Sequence, residues 1–337
     1  SFASILQRGL GTTICRDFYF PYARKIWGVD PQLLDAEQAR RRVSANSIAR
    51  MLKKIFAPAG NGSQTKGIFY YPRHGFGQIS NALMHAAVEA GADVRLNCDV
   101  RAVRREGNQV VGVTVVDGGA ERQIASRHVL STIPLPVLLR LIDPGAPADV
   151  LSESRALSYR AMILVYLVLD TDHFTEFDAH YFPGSDIAIT RLSEPKNYGL
   201  SGPAGTTVLC AELPCSDGDE VWKESDTALG TRVAAALEQA GLPIRCEIKR
   251  VVVRRLQQAY PIYTRDYRRH FDAIDRWLSG LDGLTTLGRQ GLFAHDNTHH
   301  TLAMAYAACD CLADNGSFDA REWSAHRQAF ESHVVED

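Results

Sequence analysis

Near the C-terminus the chain reads Leu284-Thr285-Thr286-Leu287, then Gly288-Arg289-Gln290-Gly291-Leu292-Phe293-Ala294-His295, then Asp296-Asn297-Thr298-His299-His300-Thr301-Leu302. The first piece is a short β-type run, the second is bounded by glycine, and Asn297 or Thr298 is a helix start signal. The pattern predicts a strand over 284–287, a loop over 288–295 and a helix over 298–312. Leu302, Ala305, Tyr306 and Cys309 would form the apolar face of that helix. Its N-terminus would present free backbone N–H groups and a partial positive charge to the loop.

Working outward, the middle of the chain alternates strand and helix signals. A helix is expected from 79 to 90, stopped by Gly91, and strands at 94–96, 100–104, 110–116 and 128–133, the last ending at Pro134. A short helix opens at Pro136. From about 150 the pattern is strand-rich, with strands at 161–169, 187–192, 207–213 and 248–256 and one helix at 225–240. The run 161–169 is nine apolar residues between Arg160 and Asp170, the length of a strand buried on both faces. Residues 1–56 look helical, 57–67 form a Gly/Pro/Ser-rich connector, and 68–71 a short strand before the turn Pro72–Gly77.

Composition bounds what such a chain does. Its 337 residues suggest two domains, and 45% hydrophobic with 23% charged residues excludes disorder, collagen and a small disulfide scaffold. A net charge of −2 gives no global field for nucleic acid, and nine apolar residues are about half a membrane span. No signal-peptide pattern opens the chain, and seven cysteines, an odd count without framework spacing, favour reduced thiols and a cytoplasmic setting. The first 56 residues carry ten Lys and Arg against four acids, +6, which leaves −8 for the rest. That is either a surface for an anionic substrate or membrane headgroups, or a set of solvated helix faces around Phe18, Tyr19, Tyr22 and Trp27.

Two motifs tempt and fall short. Gly75-Phe76-Gly77 with Asp99 downstream mimics a dinucleotide fingerprint, but Ser80 stands at the third glycine position and Pro72 ends the strand early. His295 and His299 have a zinc-ligand spacing, but Asp296 replaces the expected Glu, no third ligand is evident, and a helix starting at Asn297 leaves His295 in the loop; no metal site is assigned. Cys309-Asp310-Cys311 is too tight for a usual zinc or redox pair. No Gly-x-Ser-x-Gly elbow or phosphate-binding Gly-x-x-x-x-Gly-Lys loop exists, so hydrolase and kinase readings fall away. The helix N-terminus at 298 suits a phosphate or the pyrimidine edge of a reduced flavin, and an ordinary α/β edge helix would look the same.

The decisive stretch, 288–302, resembles the C-terminal FAD motif of the amine oxidase/protoporphyrinogen oxidase superfamily, near its UDP-galactopyranose-mutase-like branch. Further stretches agree in order: Arg24-Lys25-Ile26-Trp27-Gly28, Tyr71-Pro72-Arg73-His74-Gly75-Phe76-Gly77, Ser131-Thr132-Ile133-Pro134 and Ala259-Tyr260-Pro261-Ile262-Tyr263. The resemblance implies a mixed α/β (α+β) chain. It would hold an incomplete FAD-binding Rossmann-like domain of the glutathione-reductase type and a helical plus mixed-sheet substrate domain. The expected divisions are 1–66 (helical substrate part), 67–148 (middle FAD-binding part), 149–282 (sheet-rich substrate part) and 283–337 (C-terminal FAD-binding part). The family's opening strand–Gly-x-Gly-x-x-Gly–helix is not found, so the expectation is a fragment whose missing piece lies upstream of Ser1.

Residue by residue, the resemblance implies that Val100 meets the adenine, Thr132 and Pro134 flank the cofactor, and Gly288 and Arg289 reach the pyrophosphate and ribityl chain. Thr298, His299, Thr301 and Leu302 would bring a helix N-terminus to the flavin. Tyr260, Tyr263 and Arg265 are substrate candidates, the tyrosines as walls or as core packing. The implied activity is FAD-dependent oxidation of a small-molecule substrate, left unidentified, by hydride abstraction from a C–H or C–N bond; Arg265 or the early basic cluster could grip it were it anionic. A flavin-dependent sugar-nucleotide mutase and a non-catalytic binding domain stand as alternatives. Catalytic residues and oligomeric state are not assigned; the setting is cytoplasmic, with peripheral membrane contact open.

Overall fold

The structure is a computed structural model and describes residues 1–42, 70–199 and 202–335. The connector at 57–67, the strand residues 68 and 69, and Arg50, Lys53 and Lys54 of the basic cluster lie outside the described residues. Three sheets carry the rest. The first has the order β3-β2-β1-β5, from β1 (Cys98–Glu106), β2 (Gln109–Asp117), β3 (Ala120–Ala125) and β5 (Ile142–Asp143). The second is the parallel pair β4 (Val129–Ser131) and β11 (Leu284–Thr286). The third is antiparallel, β10-β6-β9-β8-β7, from β6 (Ser158–Leu169), β7 (Ala179–Tyr181), β8 (Arg191–Ser193), β9 (Thr207–Cys215) and β10 (Ile248–Ile262). Among the described residues no helix is long and apolar enough to cross a membrane.

The nine-residue apolar run is the inner strand β6, but its two faces differ. Ala161, Ile163, Val165, Leu167 and Leu169 are fully buried and share a core with Leu229, Val233 and Leu237 of helix Asp226–Gln239. On the other face Leu164, Tyr166 and Val168 are only half-buried, as in an antiparallel sheet with one helix-covered side, so burial on both faces is corrected. Other expectations shift as well. Residues 94–96 are irregular, with the strand starting at Cys98; 70–72 are coil; and of 187–192 only Arg191 and Leu192 lie in a strand. Helix Thr298–Asp310 buries Met304, Ala307 and Ala308 and exposes Ala305, Tyr306 (66%) and Cys309, the reverse of the expected face. Small residues all round that helix leave its period nearly mute.

The N-terminal helices are locked to the third sheet through helix Phe20–Trp27. Lys25 Nζ donates to the carbonyls of Phe182 (2.5 Å), Ile187 (2.7 Å) and Ile189 (3.1 Å), a three-acceptor cage that uses all the donors of one ammonium. The helix ends at Gly28 in the left-handed region (φ 70°), and Arg160 of β6 closes it by donating from Nε to the Ile26 carbonyl at 2.9 Å. A Cβ on Gly28 would stand 2.6 Å from Arg160 Nη1. Gly28→Ala therefore combines left-handed strain with displacement of the guanidinium. It should cost about 2 kcal/mol, read as a lower denaturation midpoint with an unchanged denaturant slope.

A second lock joins helix Ala36–Arg42 to helix Tyr267–Ser279. Glu37 pairs with Arg41 at 2.8 Å and accepts from the Tyr267 hydroxyl, with Arg268 nearby at 3.6 Å. Burial pushes the Glu37 carboxyl up, but Tyr267, Arg41 and Arg268 outweigh it and hold the pKa below the ordinary value. A depressed carboxyl stabilises the fold above the unfolded pKa of about 4.3 and loses that contribution as pH falls through the folded value. Glu37→Gln should flatten this acid limb in thermal melts taken from neutral pH down to about pH 3.

Candidate functional site

A cavity of about 250 Å³ opens where the N-terminal helices, β10 and the 288–297 loop meet. Tyr22 and Trp27 come from helix Phe20–Trp27, Arg42 from the end of helix Ala36–Arg42, Tyr260 from β10, and Arg289 and Asn297 from the loop. Trp27 meets Tyr260 edge-on with centroids 5.7 Å apart. The Arg289 guanidinium lies 4.6 Å from the Tyr260 ring centroid and that of Arg42 5.4 Å from the same ring. Two cations thus share one phenol ring. Burial first, then the like charge of Arg42, hold Arg289 below its usual pKa, opposed by Tyr260. A guanidinium stays charged throughout. At the far wall Arg191 of β8 is ion-paired to Glu212 of β9, the carboxylate that lines the cavity among the described residues. Burial, with Tyr181 and Glu212 facing it, keeps the Tyr22 hydroxyl protonated.

The loop beneath is built for close approach. Gly288 has φ 76°, in the left-handed region, and its Cβ position lies 3.8 Å from Thr132 at the end of β4. At Gly291 a Cβ would come 2.8 Å from the Ser131 carbonyl, so the two parallel strand ends meet with no room for a side chain. Between these glycines, Arg289 Nε and Gln290 Oε1 are sealed from solvent and have no hydrogen-bond partner among the described residues. A buried donor and a buried acceptor on one turn fit a polar planar group such as a flavin beside the strand ends. Asn297 caps helix Thr298–Asp310, accepting from the N3 backbone.

His295 lies behind the cavity wall, packed against Trp27. It is fully buried, edge-on to Trp27 at 5.2 Å and to Tyr263 at 4.8 Å. Burial, reinforced by Arg42, Arg289 and Arg41, holds its pKa well below the ordinary histidine value, so the ring is neutral. As the helix start at Asn297 implied, His295 lies before the helix and His299 is exposed on its first turn. Asp296, His300 and His333 do converge. The two imidazoles, however, are stacked at 4.2 Å with planes 13° apart. Both Nδ1 atoms face Asp296 Oδ1, at 2.9 Å from His333 and 3.4 Å from His300, and the His300 nitrogen already accepts the Asn297 backbone N–H.

The structure brings together Tyr260, Arg289, Gly288 and Thr132 of the candidates. Pro134 caps helix Leu135–Leu141 nearby in sequence, and Thr301 and Leu302 are half-buried on the first turns of helix Thr298–Asp310, where Thr298 is exposed. Val100 is 39% exposed on β1, in a different sheet from β4 and β11. Asp99 pairs with Arg101 at 2.8 Å, and residues 70–72, the first described ones before Gly75-Phe76-Gly77, are coil. Two substrate candidates are corrected. Tyr263 (2% exposed) stands just past the end of β10 and stacks on Tyr267 at 4.0 Å in the core. Arg265 is exposed beyond the end of β10 and does not line the cavity. Of the basic cluster, Arg16 pairs with Asp17 and Arg24 with Asp30, while Arg42 reaches the cavity. Arg42, Arg191, Glu212 and Asn297 were missed as site residues; only the Arg42 cluster carried a signal.

A larger groove of about 560 Å³ runs between β11, helix Tyr267–Ser279 and helix Ala320–Phe330. It contains none of this chemistry, and its Arg327 is paired with Asp275 at 2.8 Å. The smaller cavity is the functional candidate. A histidine with a depressed folded pKa leaves the unfolded chain binding more protons, so its contribution is complete above about pH 6.5 and fades below. His295→Phe should therefore flatten the fall in denaturation midpoint between about pH 6.5 and 5.

The sequence pattern of the family described as flavin containing amine oxidoreductase matches residues 1–306. Among curated proteins no sequence matches. The fold is similar to that of a reduced UDP-galactopyranose mutase, with a TM-score of 0.73, 18% identity, and coverage of 92% of this chain and 66% of that one. It is also similar to a candidate protoporphyrinogen oxidase from Exiguobacterium sp. 255-15, with a TM-score of 0.59, 19% identity, and coverage of 86% and 62%. The chain thus spans less than two thirds of the length of either structure. With nine-tenths of its length matched by that pattern and its glycine loop set between parallel strand ends, the chain belongs to the flavin containing amine oxidoreductases, a family of FAD-dependent oxidoreductases.

Proposed function

We propose that this chain forms the substrate cavity of an FAD-dependent oxidoreductase acting on a small anionic molecule. The observation that carries the reading is the pair Arg42 and Arg289 on one Tyr260 ring, at the mouth of a glycine loop with unpartnered buried polar groups. A protonated amine entering this cavity meets the guanidiniums of Arg42 and Arg289, and Glu212, the lining carboxylate among the described residues, is already paired to Arg191. A carboxylate or phosphate meets two guanidiniums suited to bidentate binding.

Thr132, Pro134, Gly288 and Arg289 would hold the flavin at the ends of β4 and β11. The N-terminus of helix Thr298–Asp310, with Thr298, His299, Thr301 and Leu302, would favour negative charge on it. When bound, FAD supplies a two-electron acceptor for a C–H or C–N bond. The protein's part is binding, orientation and exclusion of water. Arg42 takes the anionic group, Trp27, Tyr22 and Tyr260 flank a planar substrate, and the protonated Tyr22 hydroxyl is a donor. Neutral His295 adds no charge beneath the ring stack. The free state of all seven cysteines fits a reducing, cytoplasmic setting.

The test is an anaerobic screen of carboxylate and phosphate compounds against the FAD-loaded full-length protein, followed by the loss of flavin absorbance. Bleaching by anions is expected, and Arg42→Met should weaken the successful substrate's KM by about tenfold or more, the worth of a charged hydrogen bond. Preferential bleaching by amines, or turnover that consumes no electron acceptor, would overturn the reading.

A further inference from the structure

The loop under the cavity is tied down from its far side. Asp296 is 4% exposed and sits between His295, which packs behind the cavity residue Trp27, and Asn297, which lines the cavity and caps helix Thr298–Asp310. A buried carboxylate is acceptor-only and must find donors. Its Oδ1 lies 2.9 Å from His333 Nδ1 and 3.4 Å from His300 Nδ1, and its Oδ2 has no partner among the described residues. His300 Nδ1 accepts the Asn297 backbone N–H at 3.2 Å, so that nitrogen does not also donate to Asp296. The hydrogen bond at Oδ1 is therefore given by His333.

His333 follows helix Ala320–Phe330, far along the chain from the loop it reaches. Its ring stacks on His300 and packs 5.4 Å from Phe330. Two residues on, Val335 is buried and its N–H donates to the Arg41 carbonyl at 2.9 Å, next to Arg42 of the cavity. One short segment thus braces both the loop carrying His295 and Asn297 and the helix end carrying Arg42.

We propose that His333 is a positioning residue for the ligand cavity, acting through Asp296 to fix the loop that carries His295 and Asn297. The proposal rests on the reading of that cavity as the ligand site. It makes the donor N–H of His333, and not merely its ring, the feature that matters.

Two variants of the full-length protein separate donor from ring. His333→Phe keeps a ring against His300 and Phe330 without a donor, and His333→Asn supplies an amide donor at nearly the Nδ1 position. The first readout is Trp27 emission with Trp222, Trp277 and Trp323 replaced by Phe, since Trp27 packs on His295. The second is affinity for benzoate as an aromatic-carboxylate probe. His333→Phe should shift the emission and weaken benzoate about tenfold, while His333→Asn keeps both near wild type. Equal impairment in both variants, or none in His333→Phe, overturns the proposal. If neither His333→Phe nor His333→Leu folds while His333→Asn does, His333 holds the fold and the positioning role is overturned. Should the wild type not bind benzoate, the cavity reading fails, while Trp27 emission still decides whether His333 sets the loop.

Discussion

The phenol ring of Tyr260, held between the Arg42 and Arg289 guanidiniums with Trp27 edge-on, is the contact on which the site depends. It joins three stretches remote in sequence: the N-terminal helices, the long strand β10 and the glycine loop after β11. Each cation–π contact is worth about 0.5–2 kcal/mol, modest in energy, but two like charges are kept side by side only because one ring and a cavity separate them.

Everything that positions Tyr260 follows from neighbouring constraints. β10 pairs with β6 up to Leu256 opposite Met162, then resumes at Tyr260 opposite Arg160, so two extra residues re-aim the strand end. Arg160 itself closes helix Phe20–Trp27 at Gly28, and Lys25 of that helix pins the segment leading into β8. The motif Arg24-Lys25-Ile26-Trp27-Gly28 is therefore a set of mechanical couplings: a cage for Lys25, an aromatic edge from Trp27 and space for a guanidinium at Gly28.

Much of this was legible beforehand. The strand at 284–286 and the helix from Thr298 stand where expected, whereas the first part of the expected loop is a one-turn helix, Gly288–Gly291, whose glycines meet the ends of the parallel strands. Residues whose role depends on long-range register were not legible. Tyr260 and Tyr263 look equivalent in Ala-Tyr-Pro-Ile-Tyr, yet Tyr260 at the strand end lines the cavity and Tyr263, just past it, enters the core beside Tyr267. Arg42 was one of three adjacent arginines, and only the packing separates it from Arg41, which serves Glu37. Helix Tyr267–Ser279 escaped notice, although Tyr267, Phe271, Ile274 and Leu278 carry a helical period, because charged residues crowd the other face. Glu212 and Arg191 become site residues only through the pairing of β8 with β9.

The family name points to amines, whereas the cavity's charge points to anions, and this contrast is the most direct way to probe the account. The measurement is a competition between benzoate and benzylamine, two ligands of similar size and opposite charge, for the cavity of the FAD-loaded full-length protein. Perturbation of the flavin spectrum reports binding, at low and at high salt. The account predicts that benzoate binds more tightly and that added salt weakens it, because the attraction comes from Arg42 and Arg289. Tighter binding of benzylamine, or benzoate binding indifferent to salt and to Arg42→Met, would contradict it.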